Sequence, residues 1–169
     1  MRSGLKLIAI GSNLPDKQGR TPLEIVVCAL KPLEKQDIRI AARSRWYRTA
    51  PVPASDQPDF INGIISVETN LDPVRLLARM HEVEAMFGRV RSVPNAARVL
   101  DLDLIDYDGL VRPGPEAPIL PHPRMTERAF VLVPMLDVAP DWRHPVSGAP
   151  LKDLIEALPP GQRCEPIGC

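Results

Sequence analysis

Leu100-Asp101-Leu102-Asp103-Leu104 is the stretch whose residue types and spacing come closest to naming a chemistry. In an extended strand, residues two apart project from one face, about 6.7 Å apart along the backbone. Asp101 and Asp103 therefore share one face, and Leu100, Leu102 and Leu104 share the other. Two bare carboxylates that close repel each other, and one takes up a proton unless a cation intervenes. A hard divalent ion such as Mg²⁺ relieves the conflict, because it takes oxygen ligands and keeps positions for water and phosphate. Alone, the same pattern also describes the solvated outer face of an edge strand.

Basic residues bracket this stretch. Arg89 and Arg91 follow Gly88, Arg98 stands just ahead of the acidic pair, and Arg124 and Arg128 follow Pro121-His122-Pro123. Guanidinium groups stay charged and bind phosphate oxygens in a fork. Any one of these arginines could simply solubilise a loop. Arginines flanking a carboxylate pair are the kit of phosphoryl transfer, which runs on charge neutralisation and positioning. His122, between two prolines, reads as an exposed loop histidine that in a site could donate to a phosphate oxygen. Phe60 and Asn62 share a strand face, where a flat heterocycle could stack on the ring and pair its edge with the amide. The chain has only three phenylalanines, so Phe130 is the natural second wall. Gly11-Ser12-Asn13 lacks the Gly-Lys-Ser/Thr of a Walker motif and reads as a tight turn after a strand.

The elements that must position these residues are legible in outline. Leu5–Ile10 reads as a strand ending at Gly11. Thr21-Pro22-Leu23-Glu24 opens a helix with a capping box. Leu23, Val26, Val27, Leu30 and Leu33 form its expected apolar face, and Pro32 should kink or end it early. A single strand is expected over Ile38–Tyr47, then a proline-rich loop to Asp59, then a strand over Phe60–Thr69. Asp72-Pro73 opens a second helix with Leu76, Met80, Val83 and Phe87 on one face and Gly88 as its stop. A polar loop, Arg89–Ala97, leads to the acidic strand, Val99–Tyr107. Short helices are expected within Thr126–Val138 and Leu151–Leu158. The order strand, helix, strand, strand, helix, strand predicts a ferredoxin-like α+β fold: one domain over residues 1–169, its antiparallel sheet covered by helices. Residues 159–169 read as a frayed end.

Composition bounds the partners. The 21 basic and 21 acidic residues balance, and only three Phe, two Trp and two Tyr occur. This argues against a nucleic-acid partner and against an RNA-binding domain on the same fold. No apolar run approaches the ~20 residues of a membrane span. Three cysteines without metal-ligand spacing suggest a reduced, cytoplasmic protein. Nothing demands more than a monomer or a weak homodimer. With 20 prolines, the chain should carry prominent ordered loops.

In order and spacing these blocks resemble one family. They are Ile10-Gly11-Ser12-Asn13-Leu14, Ser44 to Asn62, Glu84, Gly88-Arg89-Val90-Arg91, Arg98 to Leu104, Pro121-His122-Pro123-Arg124, and Arg128 to Pro134 with Ala139-Pro140. The family is 2-amino-4-hydroxy-6-hydroxymethyldihydropteridine diphosphokinase, and the resemblance covers about residues 5 to 142. It implies transfer of pyrophosphate from ATP, the co-substrate, to the hydroxymethyl group of a dihydropterin in folate biosynthesis, with release of AMP. By motif position it implies that Asp101 and Asp103 hold two Mg²⁺ ions, and that Phe60 and Phe130 sandwich the pterin. Asn62 would pair the pterin edge, helped by backbone groups of Thr49 and Val52. Arg89 and Arg98 would offset charge on the transferring group. Glu84, Arg91, Arg98, His122, Arg124 and Arg128 would serve the nucleotide. Where the family commonly has Trp-Gly-Pro before the last loop arginine, this chain has Asn95-Ala96-Ala97, so an aromatic lid there is not expected. The competing expectation is a ligand sensor on the same fold without catalysis.

Overall fold

The computed structural model describes residues 4–35, 37–89 and 97–168. Strand β1 (Lys6–Ser12) is followed by helix α1 (Pro22–Leu33), strands β2 (Ile38–Arg43), β3 (Tyr47–Thr49) and β4 (Phe60–Thr69), helix α2 (Pro73–Met86) and strand β5 (Asp101–Tyr107). A 3₁₀ turn (Met125–Glu127), helices α3 (Ala129–Val138) and α4 (Leu151–Glu156), and strand β6 (Cys164–Pro166) complete the order. Among the described residues the six strands form one antiparallel sheet in the order β5-β1-β4-β3-β6, with β2 also paired to β4. The ferredoxin-like α+β expectation holds, with α1 and α2 on one face. The other face is covered as well. Leu7, Ala9, Ile64 and Ile105 pack there against Val131, Leu132, Met135 and Leu151 of α3 and α4. No helix among the described residues is long and apolar enough to cross a membrane.

The apolar half of the acidic strand locks its register. Leu100, Leu102 and Leu104 are almost fully buried with Ile8, Ile10, Leu76 and Met80 in the core under α1 and α2. Each contributes roughly 1.5–3 kcal/mol on burial. A slip of one residue would drive both aspartates into that core, so the leucines hold the carboxylates on the opposite face. The period-two pattern does not run the whole strand. A register shift opposite Leu7 and Ile8 leaves Ile105 extra, and Asp106 turns inward to accept Trp142 Nε1–H at 2.8 Å.

Several local expectations are corrected. Thr21 caps α1 with the reciprocal Glu24 bond, and Pro32 lies inside α1, one residue before its end at Leu33. It sits in the last turn, where its missing N–H costs a single bond and Glu34 N–H still reaches Leu30 O. The buried face of α1 is Ile25, Val26, Ala29 and Leu33, whereas Leu23 and Val27 are exposed. The strand expected over Ile38–Tyr47 breaks at Ser44, whose Oγ accepts Ile64 N–H at 2.9 Å. Trp46 then lies against Gly63, where a Cβ would come within 2.7 Å of the indole. β1 runs on through Gly11 and Ser12 instead of turning there. Within the segment expected to fray, β6 pairs with β3, and Ile167, partly buried, packs against the core.

Candidate active site

One row of residues crosses the sheet beneath the site. In it Tyr47 pairs with Asn62, Asn62 with Gly11, and Gly11 with Asp101. Gly11 has no side chain to fill the middle of the row. A Cβ there would meet Asn62 Oδ1 at 2.3 Å. Above it opens a cavity of about 400 Å³. Phe60, Asn62 and Phe130 line it together with Ala50-Pro51-Val52-Pro53, and Arg98, Asp101, Asp103, His122, Arg124 and Arg128 line it as well. The pterin-type residues and the phosphate-type residues picked out in the sequence thus share one space.

Asn62 is held from beneath. Its Nδ2 donates to Thr49 Oγ1 at 2.6 Å. Thr49 is buried and does not itself line the cavity. Val52 does, in the loop after β3. Phe130 stands in the first turn of α3, directly after the extended residue Arg128, which separates the 3₁₀ turn from that helix. The short helix expected within Thr126–Val138 is α3, and the break between it and the preceding 3₁₀ turn directs Arg128 toward the cavity. Its guanidinium carbon lies 5.3 Å from the Phe130 ring centre. Its Nε is buried and, among the described residues, has no hydrogen-bond partner. Burial first, and the charge of Arg124 second, hold the Arg128 pKa below its ordinary value.

The acidic pair is asymmetric. Asp101 is already engaged: Arg98 Nη1 donates to its Oδ2 at 2.8 Å, and Arg89 binds its Oδ1. Asp103 is pushed up to about 7, by burial first and by the charge of Asp101 second. The charges of Arg128 and Arg98 offset only part of that push. Among the described residues no group of three or more His, Cys, Asp or Glu gathers into a metal cluster. Two carboxylates alone would leave most of a cation's sphere to water and phosphate oxygens, the preference of Mg²⁺. The donor set fits that ion.

Arg89 and Glu84 stand behind the strand and do not line the cavity. Glu84 is 1% exposed. Its Oε1 accepts Arg89 Nη1 at 2.6 Å and the backbone N–H of Leu102 at 2.8 Å. Burial opposes the charge on Arg89, but Asp101 and Glu84 outweigh it and hold the guanidinium above its ordinary pKa. Glu84, expected at the nucleotide, bonds both Arg89 and the backbone of β5. His122 is anchored by its own N–H to Ile105 O at 2.9 Å, and its Nδ1 accepts Arg124 N–H at 3.2 Å. Burial first and Arg128 second lower its pKa to about 4. The imidazole is neutral at pH 7, with Nδ1 accepting and the proton left on Nε2. Arg91 lies outside the described residues, as do Asn95 and Ala96 of the unusual loop.

Asn13 carries more than the turn read into Gly11-Ser12-Asn13. Its Oδ1 accepts Arg98 N–H at 2.8 Å, and its Nδ2 donates to Gln57 Oε1 at 3.1 Å and Pro58 O at 3.2 Å. One side chain thus joins the arginine at the acidic strand to the loop before Phe60. An amide at a strand end is the sort of group that makes such links, but nothing in the sequence names its partners.

Residues 7–140 match the family model for 7,8-dihydro-6-hydroxymethylpterin-pyrophosphokinase. The chain belongs to that family. It is 38% identical over 153 residues to the 2-amino-4-hydroxy-6-hydroxymethyldihydropteridine pyrophosphokinase of Pseudomonas aeruginosa, covering 90% of each chain. Over 153 residues it is 36% identical to the protein of the same name from Methylorubrum extorquens, covering 90% of this chain and 92% of that one. It is also 34% identical over 159 residues to the folic acid synthesis protein of Schizosaccharomyces pombe. There it covers 94% of this chain but spans only 21% of the yeast protein. A wild-type Plasmodium falciparum HPPK-DHPS chain shares the fold, with a TM-score of 0.68 at 12% identity over 92% of this chain and 45% of that one. Family membership makes this domain a pyrophosphokinase, a transferase of folate biosynthesis.

Proposed function

We propose that the chain transfers pyrophosphate from ATP to the hydroxymethyl group of 6-hydroxymethyl-7,8-dihydropterin, with Mg²⁺, and releases AMP. The observation that carries this reading is the row Asn62–Gly11–Asp101. With strands about 4.8 Å apart, the ring-pairing amide and the first carboxylate stand about 10 Å apart across a residue with no side chain. That is room for a pterin on one side and a triphosphate on the other, with their reacting atoms meeting over Gly11.

In this reading Phe60 and Phe130 stack on the two faces of the pterin, and Asn62, oriented by Thr49, pairs its edge. Backbone groups of Val52, in the cavity wall, complete that edge. Arg98, Arg124 and Arg128 bind the phosphates, and the orphan Nε of Arg128 finds its acceptor there. His122 adds a neutral Nε2–H donor. Arg89 offsets charge through Asp101, and Glu84 holds Arg89 in place. Asp101 and Asp103 would hold the two Mg²⁺ ions, which when bound neutralise the triphosphate and steady both the attacking and the leaving oxygen. The hydroxymethyl oxygen attacks the β-phosphorus and releases its proton to solvent, the bond from that phosphorus to the bridging oxygen of the α-phosphate breaks, and AMP departs. The residues act mainly by bringing the two substrates together in line and by balancing charge.

The test is an assay with ATP, Mg²⁺ and the hydroxymethyl-dihydropterin, following nucleotide and pterin products by chromatography. Stoichiometric AMP and pterin diphosphate, lost without metal or pterin, are expected. ADP would assign a single phosphoryl transfer instead, and binding without turnover would assign a sensor.

A further inference from the structure

The family match ends at residue 140, yet a segment well beyond it touches both walls of the ring-binding half of the cavity. Gln162 bridges the break at Arg128. Its Oε1 accepts the N–H of Ala129 at 2.9 Å, and its Nε2 donates to Glu127 O at 2.8 Å. α3 has no side-chain cap of its own, so a residue 33 positions away satisfies one of the helix's free first-turn donors. Ala129 adjoins Phe130. The next residue, Arg163, reaches the opposite wall. Its Nη2 donates to Asp59 Oδ1 at 2.6 Å, beside Phe60, and its carbonyl accepts Ala50 N–H at 3.3 Å. β6 then pairs Cys164 with Thr49, the residue that holds Asn62.

We propose that Gln162 and Arg163 are positioning residues for the pterin: together they lace the Phe130 corner to the Phe60 strand and set the gap between the two rings. The inference rests on the reading of Phe60 and Phe130 as the pterin sandwich. The Arg163–Asp59 pair is exposed and weak by itself. Gln162, half-buried and bonded at both ends of its amide, carries most of the effect. Because the lacing joins both ring walls and meets the phosphate side only next to Arg128, leaving Asp101, Asp103 and Arg98 alone, it acts mainly on pterin affinity and less on ATP affinity.

The experiment measures KM for pterin and for ATP separately, in the full chain, for Gln162→Ala, Arg163→Ala and the double variant. Phe130→Ala is measured alongside. Gln162→Ala and the double variant are expected to raise the pterin KM about tenfold, a modest misplacement of a binding wall. The ATP KM is expected to rise several-fold less than the pterin KM, through Arg128 alone, and Arg163→Ala to have the smaller effect. A parallel rise in both constants, or no change in either, would overturn the proposal. If Phe130→Ala raises the pterin KM and Gln162→Ala does not, the lacing role alone falls. If Phe130→Ala has no effect, the sandwich reading falls and the lacing role with it. Should Gln162→Ala fail to fold, Gln162→Glu is read in the same way, since it keeps the acceptor for Ala129 and loses the donor to Glu127.

Discussion

Glu84 accepts the backbone amide of Leu102 at 2.8 Å, and Leu102 is the residue between the two aspartates of the site. A carboxylate on α2 therefore grips the outer edge of β5 at the point where Asp101 and Asp103 project from its face. The same oxygen binds Arg89, so one buried anion fixes both the acidic strand and a cation beside it.

Glu84→Ala follows from this grip. Removing one member of a buried, hydrogen-bonded pair costs about 3–5 kcal/mol. In a domain of this size that lowers the melting temperature by roughly 10 °C. Turnover should fall with it, because Asp101 loses its fixed neighbours. Calorimetry and steady-state kinetics check this. A raised ATP KM with unchanged melting would instead make Glu84 a nucleotide contact.

Asp103 carries a pH dependence with a definite sign. Its pKa is raised from 3.8 to about 7, so between those values the folded protein keeps a proton that the unfolded chain has released. The stabilising effect of that proton is complete below the ordinary value and is lost as pH rises through 7. Asp103→Asn should therefore raise the melting temperature of the metal-free protein at pH 8 and have much less effect at pH 5. The same substitution should cost at least ~10²-fold in turnover, as the loss of a transition-state contact does. For the unaltered protein, binding of Mg²⁺ should strengthen from pH 6 to pH 8 as the competing proton leaves. A melting temperature for Asp103→Asn that is unchanged at pH 8 would contradict the raised pKa.

His122 should stay neutral throughout assay conditions. Burial and Arg128 lower its pKa to about 4, and the Arg124 amide occupies Nδ1. Nitrogen NMR of the imidazole should report the Nε2–H form from pH 6 to pH 8. His122→Ala should weaken ATP use by about 3- to 10-fold, the value of one neutral hydrogen bond. A protonation step near pH 6.5 would contradict the neutral ring with its Nε2–H donor.

Gly11→Ala tests the open row across the sheet. The new methyl would lie 2.3 Å from Asn62 Oδ1, so the amide must turn away from Thr49 or the strand must shift. We expect kcat/KM for the pterin to fall by about 10²-fold, the usual penalty for a displacement near 1 Å, with the fold intact by circular dichroism. Normal pterin kinetics would show that the ring does not pair over this row.

Much of this architecture was legible from local pattern. Thr21 and Glu24 announced a cap that the structure contains, and Gly88, at φ 80°, ends α2 region as expected. Leu100, Leu102 and Leu104 announced which face of β5 is buried. Where reading failed, a distant partner had overridden the local preference. Val27 looks as good a core residue as Ile25, but the position of α1 over β1 and β4 turned Ile25 inward. Ser44 ended β2 because its hydroxyl found Ile64 on the neighbouring strand, and residues 164–166 paired with β3 where composition suggested a frayed end.

For the site, the sequence alone determined the chemical inventory and the face of each strand: two carboxylates together, an aromatic beside an amide, arginines on both flanks. Period and residue type suffice for that, because they act over a few neighbouring residues. The tertiary structure alone decided that Glu84 lies behind β5, that Asn13 ties Arg98 to Pro58, that His122 is neutral, and that Gln162 caps α3. Those outcomes depend on burial and on hydrogen bonds between residues from 18 to 85 positions apart, and no local pattern encodes which distant groups chain folding will bring into contact.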